Sequence, residues 1–450
     1  MSKKKSTGRS AGIPRTFVGC LRHFLTPAVF KQAHQAHNAK QAHRKCRWEL
    51  HPLILTLALF TWCGGDTPEE RFEVARTFYV DALAAKRRRP GETVEGFNAA
   101  LLRLPMSVLR VLSGGLRQSL LLRLNSSLKV GGWLPLGCDG SRLACPRSAE
   151  LEKRLGSGGK KAASPQAWIT AIVHLSTGLP WSWRIGKADA SERDHLERLL
   201  GTLPPEALLV TDAGYQGVAL TRALLAAGVD FLMRVSAQSI LYAEVIPEGM
   251  WVDGLVLLWP AREQKAKRPP VFLRLIRLHD PRRKVDVCLL TNVLQPQRLS
   301  VEMASRFYRM RWENEGFFRT YKRTLNKVKL SSRSVALLHR EIECSLLAVQ
   351  LLLSQAVCAR ALLGAKDIRC SPRAVLLEVR REIREAHKRR GRQSYHERIG
   401  RAGREDRPRQ SAKMKRQWPS RVDHKPPKPP EPLKLTDDLI SKIHTILGVP

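Results

Sequence analysis

Four side chains that can bind phosphate or a metal ion lie close together in sequence between residues 308 and 322. Tyr308, Arg311, Glu315 and Lys322 follow one another with two, three and six residues between them. Because an α-helix turns about 100° per residue, one helix would hold all four within an arc of roughly 60°. A carboxylate among cations suits a metal-assisted phosphate site. A solvated helix face with i,i+4 ion pairs would use the same residues, so this segment alone leaves both interpretations open.

Two other carboxylates follow strand-like runs that could bring them to the same place. The pattern from residue 133 to 234 predicts three strands, a helix, a strand, a helix and a strand, with Asp139 and Asp212 at the ends of the first and fourth strands. In a mixed sheet with those strands side by side, the two acids would meet at one edge. They would repel each other unless a divalent cation lay between them. Glu315 would be the third carboxylate of a two-metal phosphoryl-transfer site.

The segments around this core differ in character. Residues 235–297 hold several strand-like pieces and are predicted to form a β-rich insertion into a catalytic domain of residues 131–350. Residues 15–130 are predicted to be helical, with Thr67 and Thr93 as N-caps. This helical module could bind DNA or could pack around the catalytic core. C-terminal helices are expected over residues 351–390.

Net charge points to a polyanionic partner. The 450 residues carry a formal charge of +38, and the pI is near 10.6. We expect nucleic acid rather than a membrane, because the apolar run Pro52–Cys63 is too short to span a bilayer. The nine cysteines include no CxxC pair, which favours reduced thiols and a cytoplasmic protein.

The basic residues are concentrated at the two ends. Residues 1–14 are expected to form a flexible basic N-terminus, and residues 391–450 a basic, Pro-rich tail that is largely disordered from Gly391 and ends in a short helix over Thr436–Leu447. In the insertion, Trp251 and Trp259 could stack on a displaced base, although tryptophans in strands more often fill a core.

The chain resembles a DDE transposase of the IS4 group, whose hallmark is Y-(2)-R-(3)-E-(6)-K around the last catalytic acid. Tyr308, Arg311, Glu315 and Lys322 match every spacing. The CDGS and VTDAGY contexts of the two aspartates and the run LLTN at 289–292 also match the family, over roughly residues 130–350. Asn314 departs from the pattern, because an aliphatic residue is more usual there.

The resemblance implies an RNase H-like mixed-sheet domain interrupted by a β insertion. It implies that Asp139, Asp212 and Glu315 hold two Mg²⁺ ions, which Mn²⁺ could replace, and that Arg311, Lys322 and Tyr308 bind DNA phosphates. The implied reaction is cleavage at transposon ends and attack of the freed 3′-OH on target DNA. The implied partners are the terminal inverted repeats and target DNA, bound by a homodimer in the bacterial-type cytoplasm in association with the nucleoid.

Two other functions remain open from the sequence. One is a related two-metal nuclease acting on other nucleic acid. The other is a catalytically inactive or repurposed DNA-binding protein derived from a transposase, although all three candidate carboxylates are present.

Overall fold

The computed structural model describes most of the chain, with interruptions. The described residues are 14–37, 47–83, 89–158, 164–247, 251–280, 285–328, 330–385, 393–403 and 428–448. The basic N-terminus through residue 13 and residues 404–427 of the predicted tail lie outside them.

The N-terminal part is helical, as the sequence predicts. Its helices are α1 (Phe17–Phe24), α2 (Pro27–His37), α3 (Leu50–Trp62), α4 (Pro68–Ala82), α5 (Val94–Arg103) and α6 (Met106–Leu128). Thr67 and Glu70 form a capping box at the start of α4, and the Thr93 hydroxyl accepts the Gly96 backbone N–H at the start of α5. The two threonines that the sequence marks as caps therefore begin helices.

A single mixed sheet of ten strands follows. The strands are β1 (Leu134–Ala144), β2 (Gln166–His174), β3 (Leu179–Lys187), β4 (Ala207–Thr211), β5 (Asp230–Val235), β6 (Leu241–Ala243), β7 (Asp253–Leu258), β8 (Val271–Asp280), β9 (Val285–Thr291) and β10 (Leu433–Lys434). Short helices lie between them: α7 (Ala149–Leu155), α8 (Glu192–Glu197), α9 (Val218–Ala226) and α10 (Ala261–Lys265). The strand order is β10-β6-β7-β8-β9-β5-β4-β1-β2-β3.

The first five strands define the topology of the sheet. β1, β2 and β3 are antiparallel neighbours, whereas β4 runs parallel to β1 and β5 runs parallel to β4. Three antiparallel strands followed by two parallel ones, in the spatial order 3-2-1-4-5, form the RNase H-like mixed sheet. The predicted fold class is confirmed.

The inserted strands extend the same sheet. β9 pairs antiparallel with β5, and β8, β7 and β6 continue outward from β9. The insertion is therefore an extension of the catalytic sheet rather than a separate subdomain. The reason is the antiparallel return of β9, which places its backbone donors and acceptors along the free edge of β5.

Helices cover both faces of the sheet. The later helices are α11 (Val301–Met310), α12 (Glu313–Arg319), α13 (Val335–Leu362), α14 (Pro372–Arg384), α15 (Tyr395–Arg401) and α16 (Asp437–Leu447). Alternate residues of β4 point to opposite sides: Leu209 joins the core shared with the N-terminal helices and α13, and Val210 packs against α11 through Phe307. The N-terminal helices and the sheet thus share one core.

Helix α13 lies at the centre of that shared core. By length and composition it is apolar enough to cross a membrane, but its most apolar stretch is entirely buried inside the fold. The Trp62 indole of α3 donates a hydrogen bond to the carbonyl of Ala348, 3.2 Å away. The apolar composition of α13 is therefore accounted for by packing.

Ordered structure continues beyond residue 391, where the predicted basic tail begins. α15 buries Tyr395 and Ile399 against α13 and α14. Residues 428–448 return to the sheet, where β10 pairs with the edge strand β6 and Ile443 of α16 packs on Leu257 and Trp259. Basic residues dominate the composition around these apolar contacts, so the disorder prediction is wrong for residues 393–403 and 428–435. Helix α16 is the terminal helix that the sequence predicts over Thr436–Leu447.

Candidate active site

Strand register brings the two aspartates together. Gly137 of β1 lies opposite Val210 of β4 in the parallel pair, so the same register continued by two residues sets Asp139 beside Asp212. Asp212 directly follows β4, as predicted. Asp139 lies in the middle of β1 rather than at its end, because β1 continues to Ala144 in its pairing with β2.

Both carboxylates are fixed by neighbouring backbone. The Gly140 backbone N–H donates to Asp139 Oδ1 at 2.8 Å, and the Gly214 backbone N–H donates to Asp212 Oδ1 at 2.8 Å. Among the described residues, no backbone N–H bonds to the second carboxylate oxygen of either aspartate, so that oxygen is available to a ligand.

The third carboxylate arrives on a broken helix, which corrects the single helical stripe expected from the sequence. α11 ends at Met310, α12 begins at Glu313, and a π-helical turn over Thr320–Thr324 follows α12. At the break the backbone N–H groups of Arg311 and Asn314 bond to the carbonyls three residues earlier. Tyr308 and Lys322 therefore lie in helical turns on either side of α12.

The guanidinium of Arg311 lies close to two aromatic rings. Its Cζ lies 5.6 Å from the ring centroid of Tyr308 and 5.2 Å from that of Trp312. The Arg311 Nε is buried and has no hydrogen-bond partner among the described residues. Tyr308 thus supports Arg311 in this structure, and the predicted contact of its hydroxyl with phosphate stays a prediction.

Lys322 reaches the strand that carries the first aspartate. Its Nζ donates to the Ser141 hydroxyl at 2.7 Å, and burial lowers the pKa of its ammonium. Ser141 and Asp139 are two residues apart on β1 and share one face of the sheet. Lys322 therefore lies against the strand that carries Asp139, and its predicted contact with a DNA phosphate stays a prediction.

Three charged residues of the site act on the carboxyl group of Asp139. Burial raises the pKa of Asp139 to about 6, and the charges of Asp212 and Glu315 raise it as well. The Gly140 N–H and the charge of Arg311 oppose this rise. The structure brings together Asp139, Asp212, Glu315 and Arg311, with Glu315 exposed to solvent.

A fourth carboxylate, Glu192 of α8, was missed by the sequence analysis. A Cβ at Gly140 would lie 2.6 Å from Glu192 Oε1, so this side chain rests against β1 next to Asp139. Burial raises the pKa of Glu192, as do the charges of Asp139 and Asp212, whereas a hydrogen bond from Tyr215 lowers it. The only sequence signal is its place after the N-cap Ser191.

A second missed residue, Arg193, ties α8 to the loop after β4. Its Nε donates to the Gly214 carbonyl at 2.9 Å. The Gly214 N–H in turn holds Asp212, so Arg193 positions the second aspartate through this loop. No local pattern marks Arg193, because its partner lies 21 residues away in sequence.

Asn314, the departure from the family pattern, is fully buried between α12 and β1. A Cβ at Gly137 would lie 2.7 Å from Asn314 Nδ2, so the glycine permits this close approach. Neither polar atom of the Asn314 amide has a hydrogen-bond partner in the described part of the protein. The side chain that precedes Glu315 therefore packs as an apolar residue would.

The two tryptophans proposed for base stacking belong to the core, which corrects that prediction. The Trp251 indole donates to the Leu275 carbonyl at 3.0 Å, and the Trp259 indole donates to the Arg268 carbonyl at 2.8 Å. Both side chains are buried, with 9% and 0% of their surface exposed. With their N–H groups satisfied and their rings covered, they have no face for a base.

The donor chemistry of the site fits a divalent cation. Carboxylate oxygens are the ligands that Mg²⁺ prefers, and a cation would relieve the repulsion that raises the pKa of Asp139. Among the described residues, no group of three or more His, Cys, Asp or Glu side chains is arranged to hold one metal ion. The fit therefore rests on residue types and their mutual charge effects.

Comparison with known proteins gives a family match for the central part of the chain. The cryo-EM structure of a piggyBac transposase synaptic complex with hairpin DNA aligns with 91% of this chain and 90% of that chain, at a TM-score of 0.41 and 9% sequence identity. No curated protein matches. Residues 138–351 match the family model of the transposase DDE domain, and this segment contains Asp139, Asp212 and Glu315. The match supports a DDE transposase.

Proposed function

We propose that this protein is an IS4-group transposase that cleaves DNA at transposon ends in a Mg²⁺-dependent reaction and joins the freed 3′-OH to target DNA. One observation carries the proposal. Asp212 and Glu315, which are far in sequence from Asp139, are close enough for their charges to raise the pKa of Asp139 on an RNase H-like sheet, inside the segment that matches the DDE family.

In this proposal, Asp139, Asp212 and Glu315 would hold two Mg²⁺ ions, for which Mn²⁺ could substitute. When bound, such ions activate the attacking oxygen and stabilise the leaving oxygen of a phosphoryl transfer. The Gly140 and Gly214 backbone N–H groups would keep the two aspartates oriented toward this position.

The cations of the site would bind the substrate. Arg311 is half-buried beside two rings, so its guanidinium loses little freedom when it contacts a phosphate. Lys322, which bonds to Ser141 in this structure, would exchange that hydroxyl for a phosphate oxygen. Both contacts are charge-assisted and lie within reach of the strand that carries Asp139.

The partners are proposed from the same chemistry. Terminal inverted repeats would occupy the site first, and target DNA would follow after cleavage. We further propose a homodimer on DNA, one subunit at each end, and a cytoplasmic, nucleoid-associated protein. The formal charge of +38 suits a partner that is a polyanion.

Cleavage of a plasmid that carries the DNA flanking this gene tests the proposal. Glu315→Gln should lower Mg²⁺-dependent cleavage by at least about 100-fold while leaving duplex binding intact. Glu95→Gln is the matched control, because it makes the same change at an exposed carboxylate of α5, outside the site. Cuts that survive in Glu315→Gln would show that the active site is elsewhere.

The same experiment separates the alternatives. Binding without cleavage by the wild type would favour an inactive or repurposed DNA-binding protein. Metal-dependent cleavage that ignores the repeat boundary and yields no joined product would favour a two-metal nuclease.

A further inference from the structure

Two neighbouring cavities lie on the side of α12 that carries Glu313 and Gly316. One, of about 740 Å³, is lined by Arg319, Arg369, Arg373 and Arg401 among others. The other, of about 640 Å³, is lined by Lys129, Arg306, Arg309 and Lys366 among others. They share Glu313 and Arg369 as lining residues, so they form one continuous depression, the basic groove.

The charge of the basic groove is largely uncompensated. Its eight cations face two acids, Glu313 and Asp367, which leaves 8 − 2 = +6. Asp367 bonds to Arg369 and Lys129 bonds to Glu206. Six cations are exposed, and their side chains make no hydrogen bond or ion pair with another described residue: Arg306, Arg309, Arg319, Lys366, Arg373 and Arg401.

Such an arrangement costs free energy unless an anion binds. Like charges on the walls of a concave surface repel one another, and the field in the depression attracts polyanions. Five of the six exposed cations are arginines, whose planar guanidinium groups suit the bidentate recognition of phosphate. The cations come from α11, α12, α14, α15 and the segment before α14, so folding assembles them from distant parts of the chain.

The basic groove is separate from the carboxylate site. It is lined by the turn between β2 and β3 at residues 175–178, whereas Asp139 pairs with Ala171. At roughly 3.3 Å per residue, the nearer end of this turn lies about 13 Å along the strand from Asp139. Helix α12 stands between them, with Glu315 on one side and Glu313 and Gly316 on the other. The groove therefore holds no scissile phosphate.

We infer that the basic groove binds the phosphate backbone of duplex DNA several base pairs away from the cleavage position. This inference rests on the proposed function, because it assumes that DNA is the substrate. A duplex is favoured over a single strand. Among the described residues that line the two cavities, Phe317 is the one aromatic side chain, and it is buried, so these residues offer no ring on which bases could stack.

The test measures the affinity of the full chain for a 30-base-pair duplex of random sequence, by fluorescence anisotropy, at salt concentrations from 50 to 200 mM NaCl. The groove variant combines Arg319→Ala, Arg373→Ala and Arg401→Ala. A control variant combines Arg154→Ala, Arg262→Ala and Lys265→Ala. Both variants lose three positive charges, and the control residues are exposed, make no ion pair with a described residue and lie outside the groove.

The groove variant is expected to bind more weakly and with a shallower salt dependence. Each lost phosphate contact removes about 0.9 from the slope of log affinity against log salt, so the slope falls by roughly 2 to 3. Over the tested range the wild type would then lose roughly 40-fold more affinity than the groove variant. The control variant should keep the wild-type slope.

Equal slopes in the groove and control variants would overturn the inference. If the wild type still cleaved its flanking DNA, the proposed function would stand without the groove. A groove variant that lost affinity for a single strand but not for the duplex would also overturn it. A wild type that bound no duplex at 50 mM NaCl would refute the groove and the proposed function together.

Discussion

Asp139→Asn should reveal the electrostatic cost of assembling the site. The substitution removes the charge, keeps the shape, and leaves an amide oxygen that can still accept the hydrogen bond from the Gly140 N–H. In metal-free buffer the wild-type carboxylate must ionise in a partly buried position near Asp212, Glu315 and Glu192. The variant avoids this cost, so its stability relative to the wild type should depend on pH.

The magnitude follows from the pKa of Asp139, which is about 6 in the folded chain against a usual value of 3.8. Below pH 3.8 both the folded and the unfolded carboxyl are protonated, and this group costs no stability. As the pH rises from about 3.8 to about 6, the unfolded carboxyl ionises first, so the folded state loses stability. The difference of about 2.2 in pKa, at 1.36 kcal/mol each, corresponds to about 3 kcal/mol above pH 6.

Scanning calorimetry in EDTA at pH 4.0 and pH 7.0 would measure this effect. At about 2.1 cal/mol/K per residue, 3 kcal/mol shifts the Tm of a chain of this size by roughly 3 °C if it unfolds as one unit. The Tm of Asp139→Asn should rise by that amount relative to the wild type between the two pH values. Asp194→Asn, at an exposed carboxylate, should show no such rise.

Two results would refute the reasoning. A Tm difference between Asp139→Asn and the wild type that does not change with pH would mean that this carboxyl is not destabilised by its neighbours. Addition of Mg²⁺ should raise the Tm of the wild type more than that of Asp139→Asn, because the variant lacks one carboxylate ligand. An equal rise would remove Asp139 from the metal site.

Other substitutions test single contacts. Asn314→Leu should stabilise the fold by about 1–3 kcal/mol, because it removes an amide buried without partners; a lower Tm in calorimetry would contradict this. Lys322→Ala should lower the cleavage rate about tenfold, whereas Ser141→Ala should leave it nearly unchanged because DNA replaces that hydroxyl; equal losses in a cleavage assay would mean that the contact between these residues is itself needed. Ile443→Ala should weaken the docking of α16 by about 2 kcal/mol and speed proteolysis of the C-terminal segment, and unchanged digestion would show that this contact does not hold it.

The sequence predicted those elements whose pattern depends on neighbouring residues. The fourth predicted strand, which ends at Asp212, is present as β4 (Ala207–Thr211), because a run of apolar residues there ends in the turn signal of Asp212 and Gly214. The parallel register of β1 and β4 then had to bring the two aspartates together. For this part of the site, local pattern and fold class were sufficient.

The break between α11 and α12 could not be predicted in the same way. Arg311 and Trp312 both keep right-handed helical dihedral angles, and no Pro or Gly marks the change. The backbone tightens there to bonds that span three residues, and packing decides this: Tyr308 and Phe307 rest on one face of the sheet, whereas Asn314 inserts beside Gly137 of β1. The position of this helix break therefore depends on contacts between residues far apart in sequence.

Glu192 is another residue whose place in the site could not be predicted from local sequence. Its neighbour Ser191 gives an N-cap signal, and an acid in the first turn of a helix is ordinarily explained by the helix dipole. Only the fold shows that this carboxylate rests against β1 next to Asp139. A charge that satisfies a local rule can therefore also belong to a distant site, and its local explanation conceals the second role.

The net charge of the chain indicates a binding surface only when the charged residues are located on the fold. A charge of +38 predicts a polyanionic partner but not where it binds. In the structure α12 divides two environments: carboxylates with Arg311 and Lys322 on one side, and the cations of the basic groove on the other. A phosphodiester bound only beside the carboxylates would be repelled by them until metal cations bound. A duplex bound in the basic groove would stay near the carboxylates without that repulsion. Binding of the duplex and ionic assembly of the carboxylate site are then separable steps, and this is why Glu315→Gln is expected to abolish cleavage while binding persists.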